Sequence, residues 1–354
     1  MSDENRTNAQ DMAETAQNTG ADAQKTSEAV QNKVETAKTA IETAQNALET
    51  AQDALKDAQQ SDKPAEPPKN EKKGLSNLAK RVLSAVVLLP LLLALIIWGD
   101  HWAWSVFTLV VAVLGGWEFM KITNGQETGA TRGFSVVLAI IPMVTAYLFA
   151  GSNAPYFSDN SWLIVGGSVM VAVWGAFLFN CFRPRDIGRA THVIASTLAC
   201  AAYIGGTVLF LALIKRDLGD DANAWLFTLI AMTFGSDTGA YFTGRAFGKH
   251  KMAPILSPKK SIEGAVGGFV SALIAGFVAR YLAFDYLSIG QVILLVAVAN
   301  FLAQMGDLSE SLVKRSYGIK DSGNVIPGHG GVLDRVDALI FSAPWIYLFA
   351  MFTR

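Results

Sequence analysis

SLVKRSYGIKDSGNVIPGHGGVLDRVD, from Ser311 to Asp337, is a charged, glycine-rich run set between two apolar walls. The wall before it, residues 292–305, is almost wholly apolar, and so is the wall after it, residues 338–352. Within the run stand Lys314, Arg315, Lys320, Asp321, His329, Asp334, Arg335 and Asp337. Charges beside a bilayer are costly and are retained where they serve a purpose. Five glycines, Gly318, Gly323, Gly328, Gly330 and Gly331, accompany them with Pro327. Glycine lets a backbone approach a ligand closely. Cations, carboxylates and a glycine loop together suggest a site for phosphates and a metal ion.

Working outward, apolar segments of similar length recur. They lie near 82–98, 103–120, 134–150, 161–182, 191–214, 224–243, 264–284, 289–306 and 337–353. Each has roughly the 17 to 24 residues of a helical span. The fold class expected is all-α, a polytopic integral membrane protein with about nine transmembrane helices. The polar N-terminus and the position of the first apolar run do not suit a cleaved signal peptide.

Composition divides the chain. Overall it is 51% apolar and 17% charged, with a net charge of −1. Residues 1–70 carry 13 acidic and 7 basic side chains, and the remainder 17 and 22. The net charge is thus a sum of unlike parts. The first part, 1–74, reads as a polar helical or disordered extension. ETAKTAI, ETAQNAL and ETAQDAL follow one another as a heptad-like repeat over 34–58, and SDKPAEPPKNEKKG (61–74) is a proline-rich charged linker. Residues 1 to about 25 read as disordered. The second part, 75–354, is the membrane-embedded domain. Cys181 and Cys200 have no CxxC or His/Cys company and read as small apolar residues.

Basic residues orient the spans. With the N-terminus in the cytoplasm, 18 of the 22 basic residues after position 70 fall on that side. Only Lys215, Arg216, Arg280 and Arg354 fall outside, and the C-terminus lies outside as well.

Three polar constellations share the cytoplasmic side. In SDTGAY (236–241), Asp237 stands inside an otherwise apolar span, which costs about 2.5 kcal/mol or more unless offset. A metal, a lysine or a catalytic role would offset that cost, and a structural hydrogen bond between helices is the alternative. Gly239 and Gly244 have the glycine spacing of a P-loop, but Arg245-Ala246 follows where Lys-Ser/Thr is needed, so that reading is rejected. In SPKKSIEG (257–264), Ser257, Lys259 and Lys260 precede a span rich in small residues. The lysines suit phosphates as point charges, and the following helix start adds N–H donors. A basic loop beside packing glycines is the alternative. The third constellation joins GDLSE (306–310) to the opening run. Asp334 and Asp337 are three apart and share a helix face. Asp307 and Asp334 come from two segments that could converge on Mg²⁺, which favours one or two carboxylates plus substrate phosphates. Lys314, Arg315, Lys320 and Arg335 balance phosphate charge, and His329 suits a donor or an acid–base role. The chemistry suggested is phosphoryl or nucleotidyl transfer, which needs positioning, cations and a metal more than a protein nucleophile.

The run from Ser311 to Asp337, with its K-R, K-D, P-G-H-G-G and D-R-V-D, resembles the signature of the phosphatidate cytidylyltransferases, or CDP-diacylglycerol synthases, without departure. SDTGAY and SPKKSIEG are similar to further motifs of that family in the same order, with Ser261 in place of a common threonine. The likeness covers about 76–354. It implies transfer of a cytidylyl group from CTP to phosphatidate at the cytoplasmic face of the cell membrane, giving CDP-diacylglycerol and pyrophosphate. It implies Mg²⁺, in some members K⁺ as a second ion, and a homodimer, with no nucleic-acid partner. It assigns Asp307 and Asp334 to the metal. Asp237, Lys320, His329, Arg335 and Asp337 are expected in catalysis, and Ser257, Lys259, Lys260, Lys314 and Arg315 in substrate binding. The alternatives are a polyprenol kinase or nucleotidyltransferase and an ion-coupled transporter. The crowding of charge on one side opposes the transporter, whose site belongs near the midplane.

Overall fold

The computed structural model describes residues 77–182, 187–326, 328 and 330–353, with 77–85 as helix backbone alone, and also Glu35, Lys38 and Glu42. Those last three are helical and exposed. Otherwise the heptad segment, the expected disorder of 1–25, the 61–74 linker and His329 lie outside the described residues.

The membrane unit begins at Leu75. Its helices are α1 (Asn77–Trp98), α2 (His101–Thr123), α3 (Gly129–Phe149), α4 (Ser161–Cys181), α5 (Ala190–Cys200), α6 (Gly206–Asp217), α7 (Ala222–Phe247), α8 (Ile262–Ala283), α9 (Ile289–Ser316) and α10 (Leu333–Thr353). A π-helical turn, Ala201–Gly205, joins α5 to α6 in one continuous rod. All backbone polar groups of such segments are satisfied internally, which is what lipid demands. Several starts are capped from the sequence: Asp100 Oδ1 accepts the Ala103 N–H at 2.7 Å, and Ser288 with Gln291 forms a capping box.

Among the described residues, seven helical segments are long and apolar enough to cross a membrane: α2, α3, α4, the α5–α6 rod, α8, α9 and α10. About nine were expected from the apolar runs, and α1 and α7 fall outside this count. In α7 the polar run Ser236, Asp237 and Thr238 dilutes the apolar character. In α1 the apolar part described, Val86–Trp98, is shorter than a span. The all-α class holds apart from one hairpin, β1 (Lys251–Ala253) antiparallel to β2 (Ser257–Ser261).

Packing is tightest between α7 and α8 and between α9 and α10. Small residues permit it. A methyl group on Gly268 would lie 2.9 Å from the Ser236 carbonyl, and one on Gly264 2.9 Å from that of Ala240. In lipid, close backbone approach of this kind holds helices together, because the hydrophobic effect does not. Large apolar side chains such as Trp162, Trp174 and Phe352 point outward, as lipid-facing surfaces do.

The two ends of the bundle differ. At one end Arg216 pairs with Asp217 at 2.7 Å and donates to the Ala150 carbonyl at 2.7 Å. Tyr347 donates to Asp217 at 2.8 Å, and Lys215 donates to the Ile96 carbonyl at 2.7 Å. Two of the basic residues that broke the charge bias therefore tie the ends of α1, α3, α6 and α10 together. The opposite end, where α7 and α9 finish and α10 begins, carries the polar constellations.

Candidate active site

The hairpin presents the lysine motif. Successive side chains on a strand point to opposite faces. Lys260 turns inward and meets Asp307 of α9 at 2.5 Å, while Lys259 is exposed. Ser257, half-buried, pairs across the hairpin with Ala253. Ser261 caps α8 by accepting the Gly264 N–H at 3.1 Å. Glu263 fixes the hairpin's approach by accepting the Lys249 and His250 N–H groups at 3.1 and 3.2 Å.

Asp237 of α7 lies within electrostatic reach of Asp307, Lys260 and Arg335. Asp337 of α10 is buried and lies within reach of Asp307, Lys314 and Asp237. Gly306 makes this convergence possible, since a Cβ there would sit 2.6 Å from the Asp337 carbonyl.

Beside this cluster a second one organises the glycine loop. Buried Lys314 bridges Glu310 at 2.5 Å and Asp334 at 2.6 Å. Asp334 Oδ2 also accepts the Ser322 N–H, the Ser322 hydroxyl and the Gly331 N–H, each at 2.9 Å. Gly330, at φ +89°, turns the chain so that these donors face the carboxylate, and a Cβ there would lie 2.9 Å from Asp334 Oδ2. Glu118 arrives from α2. It accepts the Val332 and Leu333 N–H groups at 3.0 and 2.8 Å and lies 3.1 Å from the Ser322 hydroxyl. Negative side chains at the start of α10 satisfy its free N–H groups and complement its dipole.

Six carboxylates (Glu118, Asp237, Asp307, Glu310, Asp334, Asp337) thus gather at this end, with Lys260, Lys314 and Arg335 among them. Glu310 Oε1 and the Tyr203 hydroxyl are buried with no hydrogen-bond partner among the described residues. The donor set is made of hard oxygens. Among the described residues no three His, Cys, Asp or Glu side chains close into a cage. That arrangement fits a magnesium ion held by one or two carboxylates and otherwise by substrate oxygens.

On the other side of the Ser322 loop lies an open cleft of about 580 Å³. The C-terminal end of α2, the start of α5 and residues 317–324 line it, and Lys320 is among its cations. Arg315 is not in that lining; its guanidinium donates to the Ile319 carbonyl at 2.7 Å and closes the turn after α9.

The structure therefore brings Asp237, Lys260, Asp307, Lys314, Asp334, Arg335 and Asp337 to one end, with Lys320 across the loop. Lys259, Ser257 and Arg315 stand at its margins. Glu118 and Tyr203 were not anticipated, and Glu310, within the GDLSE constellation, was given no role of its own. The signal for Glu118 was present, a lone carboxylate in the otherwise apolar GWEFM of α2. Glu310 lies one helical turn before Lys314, a spacing that pairs opposite charges. Tyr203 had no comparable signal, because its placement depends on the π-helical turn.

An α-helical bundle with membrane-length helices that gathers carboxylates and lysines at one end defines a polytopic membrane protein with a charged site at that end. The chain matches the cytidylyltransferase family over residues 79–353, and it belongs to that family. It is 32% identical over 281 residues to the phosphatidate cytidylyltransferase of Thermotoga maritima, covering 77% of this chain and 96% of that one. The Haemophilus influenzae phosphatidate cytidylyltransferase is 32% identical over 290 residues, covering 78% and 99%. That of Brucella suis is 32% identical over 282 residues, covering 78% and 94%.

Proposed function

We propose that this protein transfers the cytidylyl group of CTP to phosphatidate, giving CDP-diacylglycerol and pyrophosphate for phospholipid synthesis. The observation that carries the reading is the family match over 79–353, which includes every side chain of the cluster. A phosphate oxygen of phosphatidate attacks the α-phosphorus of CTP, the bond to the bridging oxygen of the β-phosphate breaks, and pyrophosphate leaves. Such a reaction rests on positioning and on charge stabilisation. Lys260 and Arg335 bring positive charge beside Asp237 and Asp307, where it can meet a phosphate. Lys314, held between Glu310 and Asp334, keeps the loop in shape and faces Asp337.

Asp307 and Asp337, with Asp237 beside them, are the carboxylates best placed to hold Mg²⁺. Asp334 was expected to share the ion with Asp307, and in this reading it serves first through its contacts to Lys314, Ser322 and Gly331. Bound there, Mg²⁺ would neutralise triphosphate charge and polarise the α-phosphoryl group. K⁺ as a second ion follows from the family resemblance alone. The bias of basic residues supports a cytoplasmic site and N-terminus, in the cell membrane. A homodimer follows from the family resemblance alone.

The test is competition. Purified protein in detergent receives labelled CTP, Mg²⁺, and either phosphatidate or a polyprenol phosphate. Labelled CDP-diacylglycerol is expected, with polyprenol phosphate neither consumed nor competing. Transfer to the polyprenol phosphate in preference to phosphatidate would move the protein to a different substrate class.

A further inference from the structure

The cleft beyond the Ser322 loop is built from three segments distant in sequence. Lys121 and Gln126 come from the end of α2, Arg189 and His192 from the start of α5, and Tyr317 and Lys320 from the turn after α9. Its parts are set against one another. Arg189 donates to the Gln126 side-chain oxygen. The His192 ring nitrogen Nε2 lies 3.0 Å from the Thr123 carbonyl and 3.2 Å from the Tyr317 hydroxyl, which fixes both rings at one wall. Among the described residues its lining carries three cations, Lys121, Arg189 and Lys320, and one carboxylate, Asp321. A volume of about 580 Å³ is far more than one phosphate group needs and falls in the range of pockets that hold small organic ligands. Among the described lining residues only Ile122 and Ile319 carry large aliphatic side chains, which suits a polar ligand rather than acyl chains.

We infer that this cleft seats the nucleotide, with phosphates against Lys121, Arg189 and Lys320 and the pyrimidine against the Tyr317 ring. Lysines and arginine bind phosphates as point charge and fork. An aromatic face stacks on a base. Ser322 ties the cleft to the transfer site, because it lines the cleft and bonds to Asp334. The inference rests on the reading of CTP as a substrate, and it adds a place for that substrate.

Equilibrium binding of radiolabelled CTP to purified protein in detergent tests it directly, beside separate KM values for CTP and phosphatidate. Arg189→Gln is expected to weaken CTP binding and raise its KM by about tenfold or more, as loss of a charge-assisted contact does. Tyr317→Ala is expected to weaken CTP by about fivefold or more, with Tyr317→Phe close to wild type. The KM for phosphatidate should stay unchanged, and melting temperatures identify any variant that fails to fold. Unchanged CTP affinity in folded Arg189→Gln and Tyr317→Ala would overturn the inference. A rise confined to the phosphatidate KM would overturn it too, and would give the cleft to the lipid headgroup. CTP bound by the wild type and weakened in both variants, without turnover on phosphatidate, would uphold the cleft and sink the proposed reaction.

Discussion

Glu118 shows how one buried carboxylate shapes the site without being visible in its motifs. It collects the Val332 and Leu333 N–H groups and lies beside the Ser322 hydroxyl, so it joins α2 to the start of α10. Glu118→Ala would leave two buried amides without acceptors, at about 1–3 kcal/mol each. The expected result is a clearly lowered melting temperature with lost activity, while Glu118→Gln, which keeps one acceptor oxygen, falls less. An equal melting temperature for Glu118→Ala would show that the loop does not depend on it. At this scale the sequence was legible where residue types cluster. Asp307, Lys314, Asp334 and Asp337 could be singled out because charges in that setting are rare. Which carboxylate meets which lysine was not legible. It depends on the alternation of β2 and on the angle between α9 and α10, neither of which the local sequence states.

Among the elements, the apolar runs announced most helices, since a run of membrane-spanning length has few other uses. The charged run was misjudged at its start: α9 continues to Ser316, ten residues past the end expected from hydropathy. Its inner face stays helical because Glu310 and Lys314, one turn apart, satisfy each other in the interior. The hairpin Lys251–Ser261 was not expected, because its strands are too short to set a pattern. The packing of α7 on α8 makes a contrasting prediction. Gly268→Leu forces a side chain against the Ser236 carbonyl, where a Cβ alone would already be 2.9 Å away. It should lower the melting temperature in detergent and the yield of folded protein. Gly166→Ala on α4, where a Cβ would meet nothing within 4 Å, should leave both unchanged. Equal tolerance at the two positions would contradict the close approach of α7 and α8.

For the whole molecule, the division of labour follows chain position. The family match begins at residue 79, and the earliest residue of the site is Glu118. A protein starting at Leu75 should therefore keep wild-type KM values and turnover, measured in the same detergent. A loss of turnover with intact folding would give residues 1–74 a part in catalysis. The central claim is that carboxylates from α7, α9 and α10 form one magnesium-dependent transfer site with Lys260. The most direct measurement is CDP-diacylglycerol formation against Mg²⁺ concentration, for wild type and Asp307→Asn. The account predicts activity that requires Mg²⁺ in the wild type, and in Asp307→Asn a loss of about a hundredfold or a large rise in the Mg²⁺ needed. Asp307→Asn with wild-type turnover at ordinary Mg²⁺ would contradict it.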